Sequence, residues 1–299
     1  MFENILGNEK NKEILKKSIE LNKTSHSYLF WGTEGIGKKL IAKEVAKRIL
    51  CLEKNMKDCK CKSCIEFDSD NNPDFQLIEA TDGKIKIDQI REMQRKIAEK
   101  PIISTQKVYI IDDADMMTTE AQNCLLKTLE EPPEYITIIL VCSNEDTMLS
   151  TIKSRCTRMH FEPIKYEDIK KYINLEFPKQ QISENIIELS QGSIGKIIKL
   201  NEKKDMYANI ERILLNMQNN DLIEIIQMSN EIYKSKEEIN SILEYINVLL
   251  IKLGKQNIKY IKCIKIVEET KKRLKANSNY DMSIDYMIFS MWQEMVEKT

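Results

Sequence analysis

The stretch SYLFW (27–31), continued by GTEGIGKK (32–39) and LIAKEVAKRIL (40–50), decides the fold of the first half of this 299-residue chain. Its first five residues form an apolar, aromatic run that is typical of a short strand. The last segment repeats apolar residues at helical spacing. Between them, closely spaced glycines allow the backbone to fold around an anion, with inward N–H groups and a helix N-terminus beyond. The sequence therefore predicts a strand, a phosphate-binding loop and a helix.

The loop fits the phosphate-binding pattern GxxxxGK but departs from it at the next position. Gly32, Gly35, Gly37 and Lys38 match the pattern, and Lys38 is expected to meet the β and γ phosphates of a nucleotide. The following position normally carries Ser or Thr, whose hydroxyl binds Mg²⁺. Lys39 stands there instead, and an ammonium donates hydrogen bonds but cannot coordinate a cation. We expect binding of Mg·ATP to be weak or absent. A chance match of the glycines and lysine is the alternative.

Strand-like and helix-like segments alternate as far as about residue 165. A helix through residues 87–97 is expected to stop at Pro101, and a helix over 118–131 to begin at Thr118 or Thr119. In the helix after the glycine loop, the helical spacing is expected to place five apolar residues near one face: Leu40, Ile41, Val45, Ile49 and Leu50. The segments that resemble further strands are FQLIEA (75–80), KVYIIDD (107–113), ITIILV (136–141) and RMHFEP (158–163). This alternation predicts an α/β fold with a parallel sheet.

Strand signals end after the α/β region, and helical periodicity takes over. We predict an α/β domain over residues 1–165, a small helical domain over 166–205 and a helical bundle over 206–299. Two apolar stripes in the bundle follow the i, i+3, i+4, i+7 rule. They are Ile239, Ile242, Leu243, Ile246, Leu249, Leu250 and Leu253, and Ile284, Met287, Ile288, Met291, Trp292 and Met295. We expect both stripes to form bundle core rather than a ligand site.

Acidic residues follow the run VYII (108–111), where the second half of an ATP site is expected. Asp112 stands where an acid would hold a metal ion. Asp113 replaces the longer Glu that commonly polarises the attacking water, so its carboxylate is one methylene short. The alternative is that these acids only cap the following helix, and we expect little more of Asp115. Together, Lys39 and Asp113 predict that this chain does not hydrolyse ATP by itself.

Four cysteines form a local group with the spacing C-x₇-C-x-C-x₂-C. Cys51, Cys59, Cys61 and Cys64 lie in a polar segment. Four thiolates suit tetrahedral Zn²⁺, and a cytoplasmic protein does not hold such a group as disulfides. Because the set leaves no open coordination position, the zinc would be structural. A cluster of free thiols is the alternative.

The remaining cysteines and histidines that we considered give no catalytic signal. Cys124, Cys142 and Cys263 stand in apolar contexts and are predicted to be small buried hydrophobes. His26 and His160 are the two histidines of the sequence, and neither has a Ser or Cys partner arranged for nucleophilic catalysis. We expect structural roles for all of these residues.

Composition excludes several classes of protein. The sequence contains 46 Lys+Arg against 47 Asp+Glu, so no basic domain predicts strong binding of nucleic acid by this chain alone. No apolar run approaches the roughly 20 residues of a membrane span, and MFENILGNEK lacks the pattern of a secretory signal. We expect a soluble cytoplasmic protein without a membrane partner.

Four motifs, in order, carry a resemblance to a known family. They are GTEGIGKK (32–39), VYIIDDADMMTTEAQNCLLKTLEEPP (108–133), ILVCSNEDTMLSTIKSRC (139–156) and QGSIGK (191–196). They resemble bacterial clamp-loader subunits of the AAA+ superfamily over about residues 1–200. The resemblance implies an AAA+ P-loop domain, a helical lid domain and an all-α collar domain. Because motor subunits of this family carry intact ATP sites, the departures at Lys39 and Asp113 point to subunits of the delta-prime kind.

The resemblance also implies roles for single residues. Ser154-Arg155-Cys156 matches the family's SRC motif, whose arginine, an arginine finger, reaches the γ-phosphate on a neighbouring subunit. The alternative for Arg155 is a surface salt bridge. Ser143 matches a sensor position, and Gly195 stands where motor subunits have a sensor arginine. The family carries a four-cysteine zinc module as well, although the spacing here is one residue shorter before Cys61, which leaves the ligand set open.

The function that the resemblance implies is that of a stator. Such a subunit would bind gamma/tau motor subunits and the delta subunit of DNA polymerase III, and the complex would place a sliding clamp on primed DNA. Its own site would hold ATP and Mg²⁺ weakly or not at all. The rival from another class is an active ATPase, either a gamma/tau-like motor or another AAA+ protein. A third reading is a pseudo-ATPase adaptor outside replication.

Overall fold

The computed structural model describes residues 1–3, 5–54, 59–178 and 182–296. The chain divides into two compact units. The first comprises Met1–Tyr172 with Gly192–Gly195, and the second comprises Ile173–Gln191 with Lys196–Thr299. The finer three-part division, with boundaries at 165/166 and 205/206, stays a prediction.

The first unit is built on a five-stranded parallel sheet with the order β2-β3-β4-β1-β5. In this register Ser27 lies opposite Ile138, and Lys107 lies opposite Ile136. The strands are β1 Ser27–Trp31, β2 Phe75–Ile78, β3 Lys107–Ile111, β4 Ile136–Cys142 and β5 Thr157–His160. The predicted α/β class is therefore confirmed.

Helices connect the parallel strands, as crossover connections require. The helix after β3 begins where the sequence predicts, because the Thr118 hydroxyl accepts a hydrogen bond from the Ala121 N–H. It ends at Glu130, before Pro132 and Pro133. The helices of this unit are α1 Glu9–Glu20, α2 Lys38–Leu50, α3 Lys62–Asp68, α4 Ile87–Ile97, α5 Thr119–Glu130, α6 Ser150–Lys153 and the first part of α7 Tyr166–Glu176. Single 3₁₀ turns cover Ala114–Met116 and Glu145–Thr147.

Both faces of the sheet are covered by apolar side chains. On one face, Met93 of α4 and Leu125 of α5 belong to a fully buried cluster. On the other, Ile41 and Val45 of α2 are buried against β1 and β3. Full burial of each such side chain contributes about 1.5–3 kcal/mol. The prediction for Leu40 is wrong, because this residue lies on the outer face of α2 and is 59% exposed.

Asparagine side chains cover part of the free edge of β5. The Asn8 side chain donates to the Glu162 carbonyl oxygen at 3.0 Å and accepts from the Glu162 N–H at 2.8 Å. One turn further along α1, the Asn11 amide donates to the His160 carbonyl oxygen at 2.6 Å. These contacts hold the start of α1 against the last strand of the sheet.

Among its described residues, the second unit consists of helices joined by turns and loops. Its helices are the end of α7, α8 Glu184–Leu189, α9 Ile194–Glu202 from its third residue, α10 Lys204–Asn216, α11 Leu222–Met228, α12 Asn230–Lys234, α13 Ile239–Gly254, α14 Ile258–Lys275 and α15 Tyr280–Val296. Lys236–Glu238 forms a 3₁₀ turn. α14 packs against both α13 and α15.

The two predicted apolar stripes lie on α13 and α15. Every member is buried except Leu253 and Trp292, which are half-buried. The Trp292 indole N–H donates to the Asn220 carbonyl oxygen at 3.1 Å, so this side chain satisfies its polar atom at the rim of the core. Among the helices of the described residues, none combines the length and the apolar character that crossing a membrane requires.

Candidate nucleotide site and a partner-facing arginine

The predicted nucleotide-site residues gather at one edge of the sheet. Because the strands are parallel, the segments that follow their carboxyl ends meet at one edge, which we call the carboxyl edge. This edge brings together Gly32, Gly35, Gly37, Lys38, Lys39, Asp112, Asp113 and Ser143. Glu79, which directly follows β2, joins them. Sequence reasoning missed this residue, although its position after a strand was a usable signal.

The glycine loop has the backbone that the pattern requires. Gly32, Gly35 and Gly37 have φ angles of 144°, 75° and 94°, a region that L side chains rarely adopt. At Gly32 a Cβ would also lie 2.2 Å from the Phe161 carbonyl oxygen, so no other residue fits there without displacing the chain after β5. Gly37 is the N-cap of α2. The loop therefore joins β1 to a helix N-terminus, as predicted.

Lys38 is folded back onto this loop. Its Nζ donates to the Gly32 carbonyl oxygen at 2.6 Å and to the Thr33 carbonyl oxygen at 2.7 Å, and the residue is buried. Burial lowers the pKa of Lys38, against the opposing influence of nearby acidic groups such as Cys142 and Asp115. The lysine expected to meet phosphate thus satisfies carbonyl groups of its own loop.

Lys39 forms an ion-paired bridge across the carboxyl edge. Its ammonium lies 2.8 Å from Oδ2 of Asp112 and 2.5 Å from Oε1 of Glu79. Burial opposes the charge, but the hydrogen bonds with Asp112 and Glu79 raise the pKa of Lys39. A cation at a helix N-terminus is unfavourable by itself, so these two carboxylates also offset the dipole of α2. The acid predicted to hold a metal ion is bound to an ammonium.

The two acids after Asp112 differ in their surroundings. Asp113 has a left-handed backbone (φ 48°), and burial, followed by the negative charges of Asp112 and Asp115, raises the pKa of its carboxyl group. Oδ2 of Asp115 accepts from the Ser143 N–H at 3.1 Å and from the Asn144 N–H at 3.3 Å. Asp115 therefore caps the end of β4 rather than the following helix, which corrects the expectation from sequence.

Gly195 lies directly against the glycine loop. Its N–H donates to the Gly35 carbonyl oxygen at 3.0 Å, and a Cβ at this position would lie 3.0 Å from the Gly35 Cα. A side chain here would have to displace the loop. The neighbouring Lys196 forms an ion pair with Glu244 at 3.0 Å.

Arg155 lies at the opposite edge of the sheet, which we call the amino edge. It precedes β5, and its carbonyl oxygen accepts from the Ser27 hydroxyl, at the start of β1, at 2.7 Å. β1 then runs for five residues, about 16 Å, before the glycine loop begins. The Arg155 guanidinium contacts Glu130 (Nη2 to Oε1, 2.7 Å) and donates to the Thr151 carbonyl oxygen at 2.8 Å.

The four predicted cysteine ligands are close together. The Sγ atoms of Cys51, Cys59, Cys61 and Cys64 lie within 4.8 Å of one another. A tetrahedral zinc with Zn–S bonds of about 2.3 Å places its sulfurs about 3.8 Å apart, so a small contraction of the cluster would produce that geometry. Among these thiols, backbone N–H groups, first that of Cys64, lower the pKa of Cys61 to about 7 against the effect of burial, whereas burial raises the pKa of Cys64. The donor set fits a thiolate-bound metal ion.

The other predicted structural residues have ordinary environments. Cys142 and Cys263 are buried as expected. Cys124 is half-buried, and its thiol donates to Oε1 of Gln94 at 3.3 Å, so it is not simply a small hydrophobe. The His160 ring stacks on Trp31 with 4.0 Å between the ring centroids. Nδ1 of His26 lies 3.3 Å from the Ile136 carbonyl oxygen.

Comparison with known protein families gives a match over most of the first unit. Residues 7–165, more than half of the chain, match the family described as "DNA polymerase III, delta subunit". The chain belongs to the clamp-loader subunits of DNA polymerase III. This clamp-loader membership agrees with the parallel sheet, the glycine loop and the helical second unit.

Relatives of two kinds resemble this clamp-loader chain. DNA polymerase III subunit delta' of Bacillus subtilis is 32% identical over 238 residues, which cover 79% of this chain and 64% of that protein. The tau/gamma subunit of Haemophilus influenzae is 30% identical over 211 residues, which cover 68% of this chain and 30% of that protein. The chain thus spans less than two thirds of the length of these relatives.

One solved structure supports the fold. A DNA polymerase III gamma subunit-related protein from Thermotoga maritima matches with a TM-score of 0.50 and 19% identity. The match covers 95% of this chain and 99% of that one. The similarity therefore extends over the helical second unit as well as the AAA+ unit.

Proposed function

We propose that this chain is a clamp-loader subunit of the delta-prime kind. It does not hydrolyse ATP in its own site and instead completes the ATP site of a neighbouring motor subunit with Arg155. The observation that carries the proposal is the position of the Lys39 ammonium, which binds both Asp112 and Glu79.

The carboxyl edge lacks three parts that ATP hydrolysis requires. A metal ion coordinated by Asp112 would have to displace the Lys39 ammonium, and no hydroxyl stands at position 39 to bind the ion. Asp113 is shorter than the Glu that positions water. Gly195 supplies no side chain to contact a phosphate, and its backbone already binds Gly35. Each departure acts on a different step, so restoring one of them does not restore turnover.

Arg155 has the placement that action on another subunit requires. About 16 Å of strand separates it from its own glycine loop, further than an arginine side chain reaches. The guanidinium is permanently charged, planar and partly exposed, so it can stabilise charge that develops on a phosphoryl group. The proposed recipient is the ATP bound by a gamma/tau motor subunit of the same complex.

The proposal includes a set of partners and a metal. The chain would assemble with gamma/tau and delta subunits, and the complex would place the sliding clamp on primed DNA. Cys51, Cys59, Cys61 and Cys64 would hold one structural Zn²⁺ through four thiolates. These residues would stabilise the connection between α2 and β2 without contacting a nucleotide.

Substituting the arginine in the reconstituted clamp loader tests the central role. Arg155→Ala should lower the ATPase rate of the complex about tenfold or more, because loss of an arginine finger removes charge stabilisation in the transition state. Assembly and thermal stability should stay at wild-type values. Arg158→Ala is the matched control, since Arg158 is also an exposed arginine paired with a glutamate, Glu145, in the same unit. Wild-type ATPase activity in the Arg155→Ala complex would refute the finger.

An active ATPase is the second candidate, because the glycine loop is intact and tau/gamma subunits are among the relatives. The two candidates differ in what the isolated chain does with Mg·ATP. Calorimetric titration should give no tight binding, and no turnover should follow. Tight binding with turnover would instead establish the motor function.

A further inference from the structure

Glu130 is the acid that holds the Arg155 guanidinium at the amino edge. Its Oε1 lies 2.7 Å from Nη2 of Arg155. We propose that Glu130 is a positioning residue, which orients Arg155 toward the nucleotide of the neighbouring subunit. This inference rests on the proposed function, because it assigns a role to Glu130 only if Arg155 acts on a partner.

Glu130 stands on a rigid support. It is the last residue of α5, a helix that is fixed at its start by the Thr118 cap and along its length by buried residues such as Leu125 and Leu129. Pro132 and Pro133 follow almost directly and restrict the backbone beyond the helix. The backbone that carries Glu130 is therefore held in place by the core of the domain, which fixes the point from which its carboxylate reaches the Arg155 side chain.

The hydrogen bonds of Arg155 leave part of its guanidinium available. The Nη1 donors bond the Thr151 carbonyl oxygen at 2.8 Å and the Ser154 hydroxyl at 3.4 Å, while Nη2 forms the ion pair with Glu130. Among the described residues, Nε–H and the Nη2 donors make no hydrogen bond of good geometry. Two neighbouring donors on one plane can bind a phosphate through two hydrogen bonds. Since Arg155 and Glu130 are partly exposed, a neighbouring subunit can reach them.

A second arginine in the same unit shows what a purely structural pair looks like. Arg158 donates to Glu145 from Nε at 3.2 Å and from Nη2 at 2.8 and 2.9 Å. That glutamate occupies the side of the guanidinium that carries Nε. The closest approach of Glu130 to Arg155 is instead at Nη2, and among the described residues Nε of Arg155 makes no hydrogen bond with this carboxylate. The geometry of Glu130 thus differs from that of a closed surface ion pair.

A double-mutant cycle in the reconstituted clamp loader tests this inference. Glu130→Ala should lower kcat for ATP about tenfold and leave KM for ATP unchanged, because the arginine remains but loses its orientation. The double variant Glu130→Ala/Arg155→Ala should be no slower than Arg155→Ala, since Glu130 acts through the arginine. Glu130→Gln, which keeps an acceptor oxygen, should lose about threefold. Glu131→Ala, an exposed carboxylate one residue later, should behave as wild type.

The outcomes separate this inference from the proposed function. If Arg155→Ala alone leaves kcat unchanged, the finger itself fails, and the role of Glu130 fails with it. If Arg155→Ala slows the complex but Glu130→Ala does not, only the positioning role is overturned. Additive losses in the double variant would also overturn it, because they would indicate an effect on folding or assembly. Should Glu130→Ala fail to assemble, the same cycle with Glu130→Gln decides by the same criterion of additivity.

Discussion

Each of the two edges of the sheet holds a cationic side chain beside at least one carboxylate, but the two cations differ in how many of their hydrogen-bond donors are used within the chain. At the carboxyl edge, Lys39 lies between Asp112 and Glu79 and serves as an internal counter-ion. At the amino edge, Arg155 has one carboxylate, Glu130, and keeps donors for a phosphate. If Arg155 acts on a partner as we propose, the comparison teaches that the number and placement of acceptors, rather than the presence of a cation, determine whether a group is used within the chain or offered to a partner.

Electrostatics is the reason we expect the carboxyl edge to bind a divalent metal ion poorly. Charges of +1 and +2 at 4 Å repel by about 8 kcal/mol at an effective dielectric constant of about 20. A divalent ion bound to Asp112 would meet the Lys39 ammonium at short range, or would have to expel it from both of its carboxylates. On the proposed function, the ammonium would take the place of the metal's charge and oppose binding of the metal itself.

The largest expected effect is that of removing zinc from the proposed four-cysteine site, which lies on the amino side of the sheet. Cys51 follows the end of α2, so the cysteine cluster lies away from the glycine loop. Removing zinc with a chelator, or Cys64→Ser, should destabilise the chain by about 5 kcal/mol in urea unfolding, because metal-binding free energy becomes folding free energy. Cys124→Ser, outside the cluster, is the control. A purified chain with less than one equivalent of zinc, and no response to the chelator, would contradict the metal site.

A second prediction concerns removal of the Lys39 ammonium from the carboxyl edge. Lys39→Thr removes the ammonium, frees Asp112 and supplies a hydroxyl for Mg²⁺, so affinity for Mg·ATP in calorimetric titration should rise about 100-fold, or about 2.7 kcal/mol. Lys39→Met, which removes the charge without the hydroxyl, should gain much less. Turnover should stay absent because Asp113 and Gly195 remain. If Lys39→Thr binds no better than Lys39→Met, the ammonium is not what excludes Mg·ATP.

The smallest expected effect concerns the charge of Asp113, which lies beside the ion pairs of Lys39. Because the pKa of Asp113 is raised in the folded chain, its protonated form stabilises folding at low pH, and this contribution is lost as the pH rises through the folded pKa. At pH 7 the ionised carboxylate is therefore unfavourable. Asp113→Asn should stabilise the chain by about 0.5 kcal/mol at pH 7, since Asn tolerates a left-handed backbone.

The pH profile of that variant supplies its own check. The gain should shrink as the pH falls through the range in which the wild-type carboxyl group takes up its proton, as measured by urea unfolding at a series of pH values. Asp82→Asn, at another left-handed position (φ 53°), is the control for the effect of the substitution on the backbone. A gain that is constant with pH would indicate a backbone effect rather than relief of repulsion.

Local signals predicted most of the fold. The Thr118 cap, the β-branched runs of β3 and β4, and the stripe on α13 depend on residues close in sequence, and the structure has all three. Leu40 was misplaced because its spacing fits the helical period loosely, and the structure turns it outward.

The residues that pair with the predicted site residues were much harder to predict than the site residues themselves. The glycine loop and Arg155 are visible as motifs, but Glu79 and Glu130 acquire their roles only when strands or helices distant in sequence come together. Asp115 shows the same limit, since its carboxylate binds N–H groups 28 and 29 residues away. Pairings of this kind depend on strand order and register, which periodicity alone does not provide.

The asparagines at the start of α1 have a consequence for assembly. Asn8 and Asn11 already bind the outward-facing backbone groups of His160 and Glu162, which a strand from another molecule would need for pairing. This part of the sheet cannot be extended by strand addition. A partner that met this border would therefore have to recognise it through side chains, and the same amides protect the chain from edge-to-edge aggregation.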